Sequence, residues 1–210
     1  MMWLQSLTVA VIGYLLGSIP NGYIAGLIAG IDVRTKGSGN IGATNVLRVL
    51  GKPWGFAVFF GDTLKGFLAV RIGMLVAART AETADYTEFY AILAGAACVI
   101  GHSFPIWLKF QGGKGVATSA GAILGVMPIA AIAIFLVWLM VFLITRYVSL
   151  ASISAALALP IAVGVLVYAG GTRGMILLYF SLAMTALVVW RHRSNMSRLR
   201  HGTEPRFTRE

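Results

Sequence analysis

Residues 115–145 read GVATSAGAILGVMPIAAIAIFLVWLMVFLIT, without one charged side chain. A helix rises about 1.5 Å per residue, so about 20 apolar residues cross a bilayer. The stretch is long enough for one tilted span or for two short ones. Gly125–Val126–Met127–Pro128 lies near its middle, and a proline ends or kinks a helix at the residue before it. One crossing or two decides the side of the membrane on which everything downstream lies.

Other charge-free runs flank it: Met1–Ile31, Phe89–Leu108, Tyr147–Thr172 and Gly174–Trp190. Of 210 residues, 58% are hydrophobic and 11% charged, against about 25% charged in a soluble domain. The chain is an integral membrane protein by composition. The first basic residue is Arg34, so the opening run lacks the positive start of a secretory signal and reads as a first span. Pro20 is expected to kink it. Further helices are expected over Trp54–Ala78, interrupted by Asp62, Lys65 and Arg71, and over Phe89–Leu108, Val148–Tyr168 and Gly174–Trp190.

Charge resolves the parity. With two short spans in 115–145, one face collects Arg34, Lys36, Arg48, Lys52, Lys65, Lys109, Lys114, Arg146 and the basic residues from Arg191 to Arg209. The other face keeps only Arg71, Arg79 and Arg173 of the 17 Lys and Arg. That asymmetry fits the positive-inside rule. The expectation is an all-α polytopic membrane protein with about seven transmembrane helices, one or two of them short. Its N-terminus lies outside and its C-terminus in the cytoplasm, and residues 1–210 form a single domain. The short span Gly115–Val126 reads as a half-helix buried against its neighbours. Lys65 is expected to snorkel to the interface.

The net charge of +10 reads as a basic membrane face that attracts anionic lipids and anionic substrates. No nucleic-acid partner is expected. The single cysteine, Cys98, sits in an apolar run, so no disulfide framework and no metal-ligand spacing exists. No metal or cofactor is expected.

The polar clusters converge on the basic face. Lys36 to Arg48 holds Gly37, Gly39 and Gly42 with Ser38, Asn40, Thr44 and Asn45. It fails as a dinucleotide fingerprint, because no strand precedes it. Glycines that turn backbone N–H groups toward an anion, beside an arginine, remain a phosphate-binding pattern. Turn and cap formation would use the same residues. Gly112–Gly113–Lys114–Gly115 is not a Walker loop, yet it puts a lysine in a glycine turn at a helix start. His102 upstream is a catalytic or binding group, or a satisfied interfacial histidine. Asp62 and Lys65 stand three apart at membrane depth, where ionisable groups mark function or an internal ion pair. Ser149 and Ser152 line a site or pack between helices. In the tail, His192, Asn195 and Arg198 recur at helical spacing, although basic residues there also anchor topology. Two basic glycine loops on one face suggest two phosphate-bearing ligands.

Four stretches together carry a resemblance: GSGNIGATNVLR at 37–48, FGDTLKG at 60–66, GHSFPIWLKFQGGKGVAT at 101–118 and RHRSNMSRLRHGTE at 191–204. In order and over the whole chain they resemble the bacterial acyl-phosphate-dependent glycerol-3-phosphate acyltransferases. Met196 and Gly61 depart from residues common in that family. The resemblance implies a long-chain acyl phosphate and glycerol 3-phosphate as substrates, and lysophosphatidate and inorganic phosphate as products. It implies a phosphate site lined by Ser38, Arg48, Lys114, His192 and Asn195, with Thr44, Asn45 and Arg198 as lesser members. Asn40, Gly112, Gly113, Ser149, Ser152, Glu204, Asp62, Lys65 and His102 complete the candidate set. Membrane lipids are the remaining partners, and the cytoplasmic face of a bacterial inner membrane is the expected location.

The chain lacks the H-x-x-x-x-D pattern of acyl-CoA-using acyltransferases, since His102, His192 and His201 have no aspartate five residues on. No acyl-enzyme nucleophile is evident. Direct attack by the glycerol hydroxyl on an already activated acyl phosphate is the expected chemistry, with Lys114 and Arg48 stabilising the leaving phosphate. His192 or the substrate's own phosphate would act as base. An anion or phosphate transporter is the rival from another class. It would call for inverted repeats and a site at the bilayer midplane, neither of which the sequence shows.

Overall fold

The computed structural model describes residues 2–170 and 175–207, and every described element is helical. Arg173, Arg209 and Gly174, used above for topology and for a helix start, lie outside the described residues. Two compact units divide the chain at Met127: residues 1–126 and residues 127–210.

In the first unit, α1 (Met2–Ser18) stops before Pro20 and α2 (Asn21–Ile28) starts after it. The expected kink is therefore a break, because Pro20 adopts φ −92°, ψ 72° and supplies no N–H to the ladder. A 3₁₀ turn at Val33–Thr35 follows, and its Asp32 cap accepts from the Arg34 amide. Then come α3 (Ala43–Leu50), α4 (Lys52–Ala77), the short α5 (Ala81–Ala84) and α6 (Thr87–Ser103). Pro105 converts the end of the expected Phe89–Leu108 helix into a second 3₁₀ turn at Ile106–Leu108. The unit closes with α7 (Val116–Val126).

In the second unit, α8 (Pro128–Thr145) begins at the proline, after Met127 leaves helical geometry at φ −138°, ψ 76°. Residues 115–145 are thus two helices. α9 (Val148–Tyr168), α10 (Met175–Arg191) and α11 (Arg193–Arg200) complete the chain, with a bend of 55° between the last two.

The segments Met2–Ile28, Thr87–Leu108, Pro128–Thr145 and Val148–Tyr168 are long and apolar enough to cross a membrane, and the bent α10–α11 pair, taken as one span, makes a fifth. α8 shows why: Ile129, Ile132, Phe135, Leu136, Met140 and Leu143 are all exposed. α4 has the length, at 26 residues, but its charges break the apolar window.

α1, α4, α6 and α7 form the body of the first unit, with α4 against α1, α6 and α7. Small residues permit the approach. A Cβ on Gly66 would collide with the Thr118 carbonyl, and one on Gly121 with the Thr63 carbonyl, so α4 and α7 meet backbone to backbone. This is how helices pack where lipid removes the hydrophobic drive. In the second unit, hydrogen bonds do similar work: Trp138 Nε1 donates to Ser152 Oγ at 3.2 Å, and Thr185 Oγ1 to the Ala156 carbonyl at 2.6 Å.

Candidate functional site

The polar loop of the first unit is built around Asn45, which is 2% exposed. Its Oδ1 accepts from the Ser38 amide at 2.8 Å. Its Nδ2 donates to the carbonyls of Val33 and Lys36 at 3.0 and 3.2 Å. Both amide hydrogens are spent on the loop, so Asn45 shapes the glycine turn. Asn40 plays a smaller version of that part, accepting from the Gly42 amide at 2.9 Å before α3. Gly37 and Gly39 take φ +57° and +69°, the left-handed region that glycine enters without steric cost. The turn leaves Ser38 exposed and Thr44 half-buried, with Arg48 exposed on α3. Where the chain enters the loop, Arg34 grips the Asp32 carboxylate at 2.7 Å and covers the Tyr23 ring at 4.5 Å. The Arg34 hydrogen bond holds the Asp32 pKa down at about 2.

The second loop doubles back on α6. Lys109 and Phe110 both take positive φ, at 51° and 62°, and the chain returns so that the Gly112 amide donates to the Ser103 carbonyl (3.2 Å) and the Gly113 amide to the His102 carbonyl (3.1 Å). Lys114 follows, half-buried, two residues before the start of α7. Gly115 turns the chain at φ +80°.

Deeper in the same unit, Asp62, Lys65 and His102 are 2%, 4% and 5% exposed. Lys65 Nζ donates to Asp62 Oδ1 (3.0 Å) and to the carbonyls of Gly17 (2.9 Å) and Ile19 (2.8 Å). The expectation that Lys65 snorkels is corrected: the break at Pro20 exposes carbonyls inside the unit, and these hold the ammonium there. Asn21, which the sequence reading passed over, donates Nδ2 to Asp62 Oδ1 at 3.0 Å.

In the second unit, the Nδ1–H of His192 donates to the Val188 carbonyl at 2.8 Å. In a neutral imidazole this contact places the proton on Nδ1. Glu204 is buried and joins two α11 residues: Asn195 Nδ2 donates to its Oε1 and Arg198 Nε to its Oε2, both at 2.7 Å. Burial alone would raise the Glu204 pKa, but the hydrogen bonds from Asn195 and Arg198 hold it below the ordinary value. Ser152 is occupied between helices, donating to the Val148 carbonyl at 2.8 Å and accepting from Trp138. A tail strap, unforeseen in the sequence, secures the corner. Arg206 Nε donates to the Tyr147 hydroxyl at 2.9 Å, the Phe207 amide to the Arg146 carbonyl at 2.8 Å, and the Phe207 ring meets Phe142 edge-on at 5.6 Å. Among the described residues, no three His, Cys, Asp or Glu gather to hold a metal.

An all-helical chain with several apolar spans defines an integral membrane protein. The family model described as glycerol-3-phosphate acyltransferase matches residues 7–202. The chain belongs to that family, and it is an acyltransferase of phospholipid synthesis. A glycerol-3-phosphate acyltransferase from Desulforudis audaxviator is 44% identical over 94% of this chain and 93% of its own. One from Aquifex aeolicus is 41% identical over 97% of this chain and 100% of its own. Among solved structures, PlsY, an integral membrane glycerol 3-phosphate acyltransferase, matches in its glycerol 3-phosphate form with a TM-score of 0.86 at 41% identity. That match covers 97% of this chain and 96% of the other. The lysophosphatidic acid form matches at 0.83 and 40% identity, over 97% and 95% of the two chains. These matches favour the enzyme over the transporter.

Proposed function

We propose that the chain transfers a fatty acyl group from an acyl phosphate to the sn-1 hydroxyl of glycerol 3-phosphate. The observation that carries the reading is the near full-length likeness to a structure in its glycerol 3-phosphate form, joined to two glycine-rich basic loops in the first unit. Residues 1–210 act as one acyltransferase domain, a reading supported by the family match across both units.

In this reading, the glycerol hydroxyl oxygen attacks the acyl carbonyl carbon. The bond between that carbon and the bridging phosphate oxygen breaks, and inorganic phosphate leaves with the electron pair. Ser38, Arg48 and Lys114, with His192 and Asn195, bind phosphate groups, as the family resemblance implies. The cations stabilise charge on the leaving group. The hydroxyl proton passes to His192 Nε2 or to the substrate's own phosphate. Asn40, Thr44, Asn45, Gly112, Gly113 and Arg198 support the ligands through loop shape and charge.

The chain crosses a bacterial inner membrane seven times, with the N-terminus outside and the chemistry on the cytoplasmic face. α4 and the short α7 supply the sixth and seventh crossings, and the asymmetry of basic residues supports the orientation. The test is incubation of purified protein with acyl phosphate and glycerol 3-phosphate, following lysophosphatidate and phosphate, with acyl-CoA in parallel. Product from acyl phosphate alone supports the donor. No product from either donor, in folded protein, ends the reading.

A further inference from the structure

The buried Asp62–Lys65–His102 cluster and the Gly112–Gly113–Lys114 loop are consecutive parts of one chain of contacts. Lys65 has three ammonium hydrogens, and Gly17, Ile19 and Asp62 accept three hydrogen bonds from Nζ. The side chain is therefore committed inside the fold. Asp62 Oδ1 is pinned by Lys65 and Asn21, each at 3.0 Å, and His102 Nδ1 stands 3.6 Å from the same oxygen. The opposite edge of the imidazole faces the loop. A Cβ on Gly113 would collide with His102 Nε2. The Gly113 amide is also tied to the His102 backbone carbonyl, and the Gly112 amide to that of Ser103. The ring thus abuts the residue before Lys114, with a fixed carboxylate behind it.

We propose that Asp62 and His102 are positioning residues that hold the Gly112–Gly113 turn and thereby aim Lys114 at the phosphate it serves. The inference rests on the acyltransferase reading. In this role both side chains act through the turn rather than on the substrate. Their contribution is to remove in advance the loop freedom that binding would otherwise have to freeze. A displacement of about 1 Å at a ligand costs up to about a hundredfold in rate, so loosening this support is a kinetic defect rather than only a loss of stability. Lys65 and the carbonyls at the Pro20 break anchor the carboxylate.

The test is a double-mutant cycle on the full chain, reading kcat/KM for glycerol 3-phosphate. His102→Ala is expected to lower it about tenfold in the wild-type background and less than twofold beside Lys114→Ala, because coupled residues are non-additive. His102→Gln, which keeps a polar side chain against Gly113, should recover most of the loss. If His102→Ala does not fold, Asp62→Asn carries the same cycle. A tenfold loss in both backgrounds would overturn the proposal. A readout without turnover accompanies it: the rate of amine-reagent labelling at Lys114, which should rise at least threefold in His102→Ala. Faster labelling in a protein without acyltransferase activity would retain the positioning and remove the function. Unchanged labelling in an active enzyme would remove the positioning and retain the function.

Discussion

Asn195 donates its side-chain amide to Glu204 across 2.7 Å, from α11 to a turn nine residues further on. Arg198 takes the other carboxylate oxygen at the same distance. The pair of bonds closes the corner after the last helix. Glu204→Gln removes the charge and one acceptor, so the corner should loosen. A hydrogen bond to a charged group contributes about 1.5–3 kcal/mol. A fall in the unfolding midpoint, with activity falling alongside, is the expected outcome in a thermal melt.

The same carboxylate gives a pH dependence with a defined sign. Its folded pKa lies below the ordinary 4.5. The stabilisation is then present above the unfolded value and is lost as pH falls through the folded one. The difference in melting temperature between the wild type and Glu204→Gln should be constant near neutrality and shrink below about pH 4.5. A difference that grows on acidification would contradict the geometry.

Lys65→Met should be among the most damaging single changes. It leaves Asp62 buried without its cation and the Gly17 and Ile19 carbonyls without their donor. Breaking a buried pair by removing one partner costs about 3–5 kcal/mol. Asp62→Leu added to Lys65→Met should recover part of that loss. Chemical or thermal unfolding of the single and double variants in matched detergent measures both.

Gly66→Leu should separate α4 from α7. Its Cβ would meet the Thr118 carbonyl, which is backbone and cannot swing aside. Overpacking costs about 1–3 kcal/mol, and the helix contacts on both sides of Gly66 should loosen together. Hydrogen exchange over 116–126 should rise in the variant.

Lys114→Ala should lower kcat/KM for glycerol 3-phosphate by at least about tenfold while the melting temperature moves little, since Lys114 is half-buried at a loop end. A charge-assisted contact to phosphate has that worth. An unchanged steady-state rate would remove Lys114 from the proposed machinery.

Local signals carried much of this fold. Pro128 announced the division of residues 115–145, because a proline acts on its own neighbours whatever surrounds it. The Asp62 and Lys65 pair, three apart on one helix, was equally visible. Their partners were not, since Asn21 and His102 come from other helices and no periodicity links them. Lys65 follows the same logic: snorkelling is the default for a lone lysine, and only the fold brings the Gly17 and Ile19 carbonyls to it. The glycine spacing around Asn45 suggested an anion loop, but its role as the hub of that loop depends on Val33 and Lys36 carbonyls that fall into place on folding. The Arg206–Tyr147 strap joins residues 59 apart and had no signal beyond a basic tail.

The anchoring of Lys65 at the Pro20 break also bears on biogenesis. α4 is the least lipophilic of the long helices, and an unpaired lysine or aspartate at mid-membrane costs about 2.5–3.5 kcal/mol each to insert. The groups that satisfy Lys65 lie at Gly17 and Ile19, which the ribosome delivers first. α4 should therefore integrate poorly by itself and well when residues 1–31 precede it, as glycosylation mapping in microsomes would record. The α1–α2 segment would then serve as an intramolecular chaperone for the segment that follows.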